Sequence, residues 1–485
     1  MMTDLPAALR RLEPEQLWKR SHIVLAGVLG LGIAVVLAGA VLSVTAQLII
    51  AALLVGIFAV TVIARNEVAL LCTVVLGFVA LVRYEEGFQV EEVLYGLVYL
   101  SYLGYWYVSR LFVYRDNILK TKTDWALLLF LVYITLSLVL TPLQDGDLTM
   151  AASEWISLSM LAFYFPIKEI CIRRRDRIPQ KPILLSLGAI GMFIAVRNVL
   201  DYRRGLSEAD YLWQIAMGRV VMNEHVLLMA GLVTLVFLVY ARRKLSRISL
   251  LFLFVVFSTG VVIGQSRAVW ISFALGMAVI FVLVERKQRL QVTTIAILGL
   301  ASILIAGFLF FDNFFTVVLA GLVDRLFSLG DAATQDLSLV NRFVEMGAAW
   351  EHIRQNPVVG YGLGVPYSYY SLVYEANRVS TYVHNAYFGV LYRHGLIGFG
   401  LIFFFYVGTI WTAFRTSKKA SSGSLDMMIA TAAVAFLIAE ALAANAANPF
   451  ATADTTFIIA AISGLAAASH QHVSRSAHPH RPIED

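Results

Sequence analysis

The feature that most constrains this chain is the recurrence of one length. Crossing a lipid bilayer as a helix takes about 20 consecutive, mostly apolar residues. Fourteen such stretches follow one another, at 22–43, 46–64, 67–83, 93–113, 124–141, 152–169, 182–199, 225–241, 248–264, 268–285, 292–311, 394–414, 425–444 and 453–469. Lipid offers no partner for backbone N–H and C=O groups, so runs of this length satisfy themselves as helices. Composition agrees: 59% of the 485 residues are hydrophobic and 14% are charged, where a soluble domain carries roughly 25% charge. The predicted fold is all-α, a polytopic integral membrane protein with about 12–14 transmembrane helices and one long helical external loop.

A net charge of +6 invites a nucleic-acid reading, but in a polytopic protein excess Lys and Arg set orientation. The connectors alternate in charge. One set holds 27 of the 38 basic residues and all nine lysines; the other holds 11, every one an arginine. The lysine-bearing set is expected to face the cytoplasm, and no nucleic-acid partner is expected. Both termini then lie inside. The predicted organisation is a cytoplasmic leader at 1–21, transmembrane helices at 22–311, a long external loop at 312–393, three further helices at 394–469 and a disordered cytoplasmic tail at 470–485. The leader has no small-residue cleavage site before a short apolar core, so it is not read as a removed signal peptide. Cys72 and Cys171 lie in or beside different hydrophobic segments and read as small buried apolar residues. The histidines of the tail read as solvated.

Most external connectors are short. The exception runs from Asp312 to Arg393, and loops of that length usually carry function. Within it, Leu339, Phe343, Met346, Trp350 and Ile353 recur at steps of three and four, the apolar stripe of a helix ended by Asn356-Pro357. Arg342 borders the stripe beside Glu345, where an i,i+3 ion pair is the simplest expectation. Next comes Pro357-Val-Val-Gly360-Tyr-Gly362-Leu-Gly364. Its glycines permit backbone N–H groups to approach a ligand closely. The string follows no predicted strand and opens no predicted helix, so a dinucleotide site is not expected. Tyr361, Tyr367, Tyr369, Tyr370, Tyr374, Tyr382, Tyr387 and Tyr392 then crowd the loop, as an interfacial belt or a platform for sugar rings.

From Asp312 to His384 the loop holds seven acidic residues and four arginines. It is no general anion trap, and phosphate would have to be held by a few placed arginines. His384 has the side chain suited to proton transfer near neutrality. Asn385 caps a helix over 386–394, and Gly395 and Gly398 permit a sharp turn into the next span. His394 stands at the far end of that helix, away from His384. Elsewhere, Gln265-Ser266-Arg267-Ala-Val-Trp270 occupies a three-residue hairpin, which places Arg267 at the membrane surface, where a charge needs a partner. The connector 200–224 carries Arg203, Arg204 and Arg219. Arginine suits a bidentate grip on phosphate.

Three pieces in order, Ser266-Arg267-x-x-Trp270, Arg342 with Trp350 and the Asn356-to-Gly364 string, and His384-Asn385 nine residues before Gly395-Leu-Ile-Gly398, together resemble the O-antigen ligase and polymerase superfamily of bacterial inner-membrane glycosyltransferases. Met222-Asn223-Glu224-His225 after Arg219 is similar to a further family segment but lacks its Asn-Pro-Asn. The resemblance covers roughly 219–400. It implies a GT-C-type helical membrane fold and a metal-independent, inverting transfer at the periplasmic face, with no cofactor. The donor would be an undecaprenyl-pyrophosphate-linked glycan. Arg267 and Arg342 would bind its pyrophosphate and His384 would act as base on the acceptor hydroxyl. Asn385, Gly360, Gly362, Gly395, Gly398 and Arg219 would support them.

The acceptor would be lipid A-core in a ligase or a lipid-linked repeat unit in a polymerase of O-antigen or exopolysaccharide, with membrane lipids and other polysaccharide assembly proteins as further partners. The competing class is a lipid-linked-glycan flippase or other transporter. It predicts ionisable residues near the midplane and matching broken helices. The spans are nearly free of charge, Glu440 being the main exception.

Overall fold

The computed structural model describes residues 56–59, 66–78, 90–173, 179–207, 223–311 and 337–477. The first expected span and nearly all of the second therefore lie outside the described residues, as do the leader, Arg219 and residues 312–336 of the long loop. The chain forms two compact units, residues 1–105 with 176–193, and residues 106–175 with 194–485.

The described residues are overwhelmingly helical. In chain order the helices are α1 (Glu67–Leu76), α2 (Val90–Val108), α3 (Lys122–Ser137), α4 (Leu148–Ser159), α5 (Tyr164–Arg173), α6 (Gln180–Ser207), α7 (Glu224–Tyr240), α8 (Lys244–Ile263), α9 (Arg267–Leu283), α10 (Arg286–Phe311) and α11 (Leu337–Gln355). Two strands follow, β1 (Tyr367–Ser371) and β2 (Ala376–Ser380), and then α12 (Ala386–Lys419), α13 (Leu425–Ala443) and α14 (Ala453–Ala477). Among the described residues five helices are long and apolar enough to cross a membrane: Leu148–Arg173, Gln180–Gly205, Lys244–Ile263, Ala386–Lys419 and Leu425–Ala443. Glu67–Leu76, Glu224–Tyr240 and Arg267–Leu283 are shorter apolar helices. The protein is an all-α polytopic membrane protein.

Helix starts follow local chemistry. Thr121 and Asp124 close a reciprocal capping box at α3, Asp147 accepts from Thr149 N at 2.7 Å to start α4, and Ser424 caps α13 through Met427 N. In the second unit, small residues let helices approach. The alanine faces of α13 and α14 are fully buried, and a Cβ on Gly464 would stand 2.9 Å from the Tyr164 carbonyl of α5. At the basic ends of α3 and α5, Lys168 Nζ lies 2.7 Å from Asp124 Oδ1 with both side chains buried. Tyr164 Oη donates to the same oxygen at 2.8 Å.

Two expectations change here. The long loop is not wholly helical, because Tyr367–Ser371 pairs antiparallel with Ala376–Ser380, Tyr367 opposite Ser380. The buried positions of β1 are Tyr367 and Ser371, so its alternation is carried by tyrosine and serine and leaves little trace in hydropathy. The C-terminal helix also runs on to Ala477, past the expected start of a disordered tail at 470. His470 Nδ1 meets Thr416 Oγ1 at 2.9 Å, and His472 bridges Asp426 and the Cys171 carbonyl. These histidines are packed, not solvated. Cys72 and Cys171 are buried free thiols.

Candidate active site

His384 sits one residue before the cap of α12, where the chain crosses α11. Its Nδ1 lies 2.7 Å from Glu345 Oε2, and its own backbone N–H donates to Glu345 Oε1 at 3.0 Å. Tyr367 Oη donates to the same Oε1 at 3.0 Å. Glu345 is 1% exposed in its side chain while His384 is 43% exposed, so the carboxylate is the buried anchor and the imidazole the accessible end. Burial, and then the neighbouring Glu345 carboxylate, push the Tyr367 phenol well above the ordinary range, so it stays a donor. The Tyr382 ring packs edge-on against the imidazole, centroids 4.9 Å apart, and Tyr382 Oη accepts from Asn448 N at 3.1 Å.

Asn385 caps α12 as expected: its Oδ1 accepts from Tyr387 N at 3.0 Å and Phe388 N at 3.2 Å. Its Nδ2 also donates to the Asn445 carbonyl beyond α13, which fixes the start of α12 to the bundle. Helix 386–394 and the following span form one element broken at Gly395, with φ 57° and ψ −164°. A Cβ on Gly395 would collide with the Val358 carbonyl, and one on Gly398 with Cβ of His394. His394 itself is buried, its ring edge-on to Phe130 and close to Tyr133, separate from His384.

The glycine string acts differently from the expectation. The N–H groups of its three glycines are taken inside the protein: Gly360 N by the Asn356 carbonyl, Gly362 N by the Arg393 carbonyl at 2.8 Å, and Gly364 N by Glu154 Oε2 at 2.9 Å. None of these three is left to cradle a ligand. Gly360 is required instead because its φ is 77° and a Cβ there would stand 2.6 Å from the Arg393 carbonyl and Gly395 N. The string is a brace laid against the break in α12. Glu154 completes it, pairing with Arg393 Nη2 at 2.6 Å.

Arg342 does not pair with Glu345. Glu345 turns inward to His384, and among the described residues Arg342 makes no ion pair. Residues i and i+3 on a helix have Cβ atoms about 5–6 Å apart, so Arg342 lies one turn from Glu345 on α11. Arg267 opens α9. Gln265, in the left-handed region at φ 50°, turns the chain, and Trp270 Nε1 donates back to the Val261 carbonyl of α8 at 3.0 Å. A run of contacts places Arg267 and His384 at the same end of the bundle. A Cβ on Gly264 would lie 2.9 Å from Glu224 Oε2, His225 Nδ1 lies 2.8 Å from Glu440 Oε1, and Tyr387 Oη donates to the Ala441 carbonyl at 2.7 Å. Arg219 lies outside the described residues.

The eight tyrosines of the loop do not act as one set. Tyr367 and Tyr392 are buried in a cluster with Ala349, Ile353 and Val383, and Tyr361 stacks on Tyr392 at 5.2 Å. Tyr370 and Tyr374 are exposed. The stripe on α11 is also displaced. Asn341, Glu345, Ala349 and Ile353 are buried, whereas Phe343 and Trp350 are 55% and 45% exposed. The row in contact with β1 and α12 is thus the i, i+4 row through Glu345, because the His384 N–H and the Tyr367 phenol need an acceptor there. Glu345, Tyr367, Glu154 and Arg393 are what sequence reasoning missed. The one available signal was the spacing Asn341, Glu345, Ala349, Ile353, which hydropathy hides behind its two polar members.

Residues 252–405 match the family described as O-antigen ligase. That segment runs from α8 to α12 and contains Arg267, Arg342, Glu345, the glycine string, His384, Asn385, Gly395 and Gly398. The match supports the O-antigen ligase and polymerase superfamily and a function of that general type. No curated protein matches the chain.

Proposed function

We propose that this protein, with an O-antigen ligase domain at residues 252–405, is a glycosyltransferase that moves an undecaprenyl-pyrophosphate-linked glycan en bloc onto a sugar hydroxyl of lipid A-core. The site is assigned to the periplasmic face of the inner membrane, with both termini cytoplasmic. The observation that carries the reading is His384: its Nδ1 is engaged by a buried carboxylate and its ring is accessible, the arrangement a general base needs.

The reaction is an inverting displacement. The acceptor oxygen bonds to the anomeric carbon as its proton passes to His384. The bond from that carbon to the phosphate oxygen breaks, and the electron pair departs with the undecaprenyl pyrophosphate. Fixed positive charge is what such a leaving group requires. Arg342, one turn from Glu345 on α11, and Arg267, at the same end of the bundle, supply it, and the transfer is assigned as metal-independent.

The test uses host membranes with their own lipid-linked glycan pool. His384→Ala, Arg342→Ala and Arg267→Ala should each abolish transfer while the protein still inserts, and EDTA should leave the wild type active. Transfer by the His384→Ala variant, or loss in EDTA restored by a divalent ion, refutes the respective part. In a deletion strain, unattached long-chain lipid-linked glycan is the expected result. Single repeat units identify a polymerase instead, and donor held on the cytoplasmic side identifies a flippase.

A further inference from the structure

The geometry points to Glu345 as the residue that positions His384 and sets its tautomer: the carboxylate accepts a hydrogen bond from Nδ1–H, which holds the ring proton on Nδ1 and leaves Nε2 as the lone-pair nitrogen that receives the acceptor hydroxyl's proton. This rests on the glycosyltransferase reading above. An ionised carboxylate only accepts hydrogen bonds. At 2.7 Å from Glu345 Oε2, Nδ1 must therefore be the protonated nitrogen of the neutral ring. Three donors converge on this one carboxylate, namely Nδ1–H, the His384 backbone N–H and the Tyr367 hydroxyl. Oε1 is held by two of them, so Oε2 cannot swing away from the ring.

Two other histidine–carboxylate pairs among the described residues show what is particular here. His225 on Glu440 and His472 on Asp426 have side chains only 12% and 7% exposed, and His472 Nε2 is engaged by the Cys171 carbonyl at 3.1 Å. They are packed. His384 pairs with an equally buried carboxylate yet keeps an exposed ring, and its Nε2 meets no partner among the described residues. As the hydroxyl proton arrives at Nε2, the ring becomes an imidazolium whose charge lies against the Glu345 carboxylate. Nδ1 keeps its proton throughout, and no proton passes to Glu345.

Glu345→Gln separates this role from a purely structural one. The amide carbonyl can still accept from the His384 N–H and the Tyr367 hydroxyl, keeping two of the three hydrogen bonds. Its NH₂ faces Nδ1 as a donor, which forces the ring proton onto Nε2 and removes the base. The expected result is a fall in kcat of about 10³–10⁴-fold with KM within about threefold. Glu345→Asp keeps the acceptor and should recover at least tenfold over Glu345→Gln.

A second measurement needs no substrate. Diethyl pyrocarbonate acylates the lone-pair nitrogen, so carbethoxylation of His384 in the detergent-solubilised full chain, read by peptide mass spectrometry, should slow severalfold in Glu345→Gln and not in Glu345→Asp. Glu345→Gln activity within about threefold of wild type, or an unchanged carbethoxylation rate, overturns the assignment. Should Glu345→Gln fail to insert, Glu345→Asp and Tyr367→Phe carry the test: a severalfold fall in the carbethoxylation rate in Glu345→Asp overturns it, and a rate near wild type in both supports it. Failure of the transferase reading is a different result, transfer retained by His384→Ala, and the carbethoxylation contrast stands apart from it.

Discussion

Replacing Gly395 by alanine puts the break in α12 to a quantitative test. Gly395 holds φ 57° and ψ −164°, at the edge of a region open essentially to glycine alone, and holding another residue there costs about 1–3 kcal/mol. The new methyl would also strike the Val358 carbonyl and approach Val359 N, so the glycine brace must move away. That movement breaks the hydrogen bonds from Leu396 N to the Pro357 carbonyl (2.8 Å) and from Ile397 N to the Val358 carbonyl (3.2 Å), each worth about 1 kcal/mol net. The total loss is about 3–5 kcal/mol. The same helix supplies the controls. A Cβ on Gly400 meets nothing within 4 Å, and Gly400→Ala should be neutral or stabilise by a few tenths to about 1 kcal/mol. Gly398→Ala meets the Tyr133 ring at 3.1 Å as well as the side chain of His394 and should fall between. Apparent melting temperatures of the three variants in one detergent should rank Gly400, Gly398, Gly395 from highest to lowest, with Gly395→Ala several degrees below wild type. A Gly395→Ala protein that melts with Gly400→Ala would refute the claim that this break is strained in any residue but glycine.

Lys168→Met should destabilise by about 3–5 kcal/mol, because it leaves Asp124 buried without its ion partner. Adding Asp124→Asn should restore most of that, as read by a double-mutant cycle of melting temperatures. Asn385→Ala removes the α12 cap and the tie to the Asn445 carbonyl, costing about 1–2 kcal/mol and lowering transfer without abolishing it. Asn385→Asp keeps the cap acceptor and should melt closer to wild type. Arg393→Met leaves Glu154 facing an apolar group and frees its hold on the glycine string. Its stability loss should shrink when Glu154→Gln is added, and equal losses in the single and double variants would refute the coupling.

What was legible in the sequence was local. Span lengths follow from runs of apolar residues, and the hairpin at Gln265–Ser266 falls where the apolar run breaks. The cap at Asn385, the stop at Asn356-Pro357 and the break at Gly395 each depend on one side chain or on its absence. These belong to neighbouring residues, so a linear reading recovers them. Tertiary structure decided the partners. Glu345 reads in sequence as a surface mate for Arg342 three residues away, yet it serves a histidine 39 positions on. The rotation of α11 that buries the row Asn341, Glu345, Ala349, Ile353 is set by what β1 and α12 offer it, not by the hydrophobicity of its own faces. The glycine string likewise looked like a ligand cradle until Arg393, Glu154 and the Asn356 carbonyl took its N–H groups. A buried polar group goes where its hydrogen bonds can be met, and that depends on segments far away in the chain.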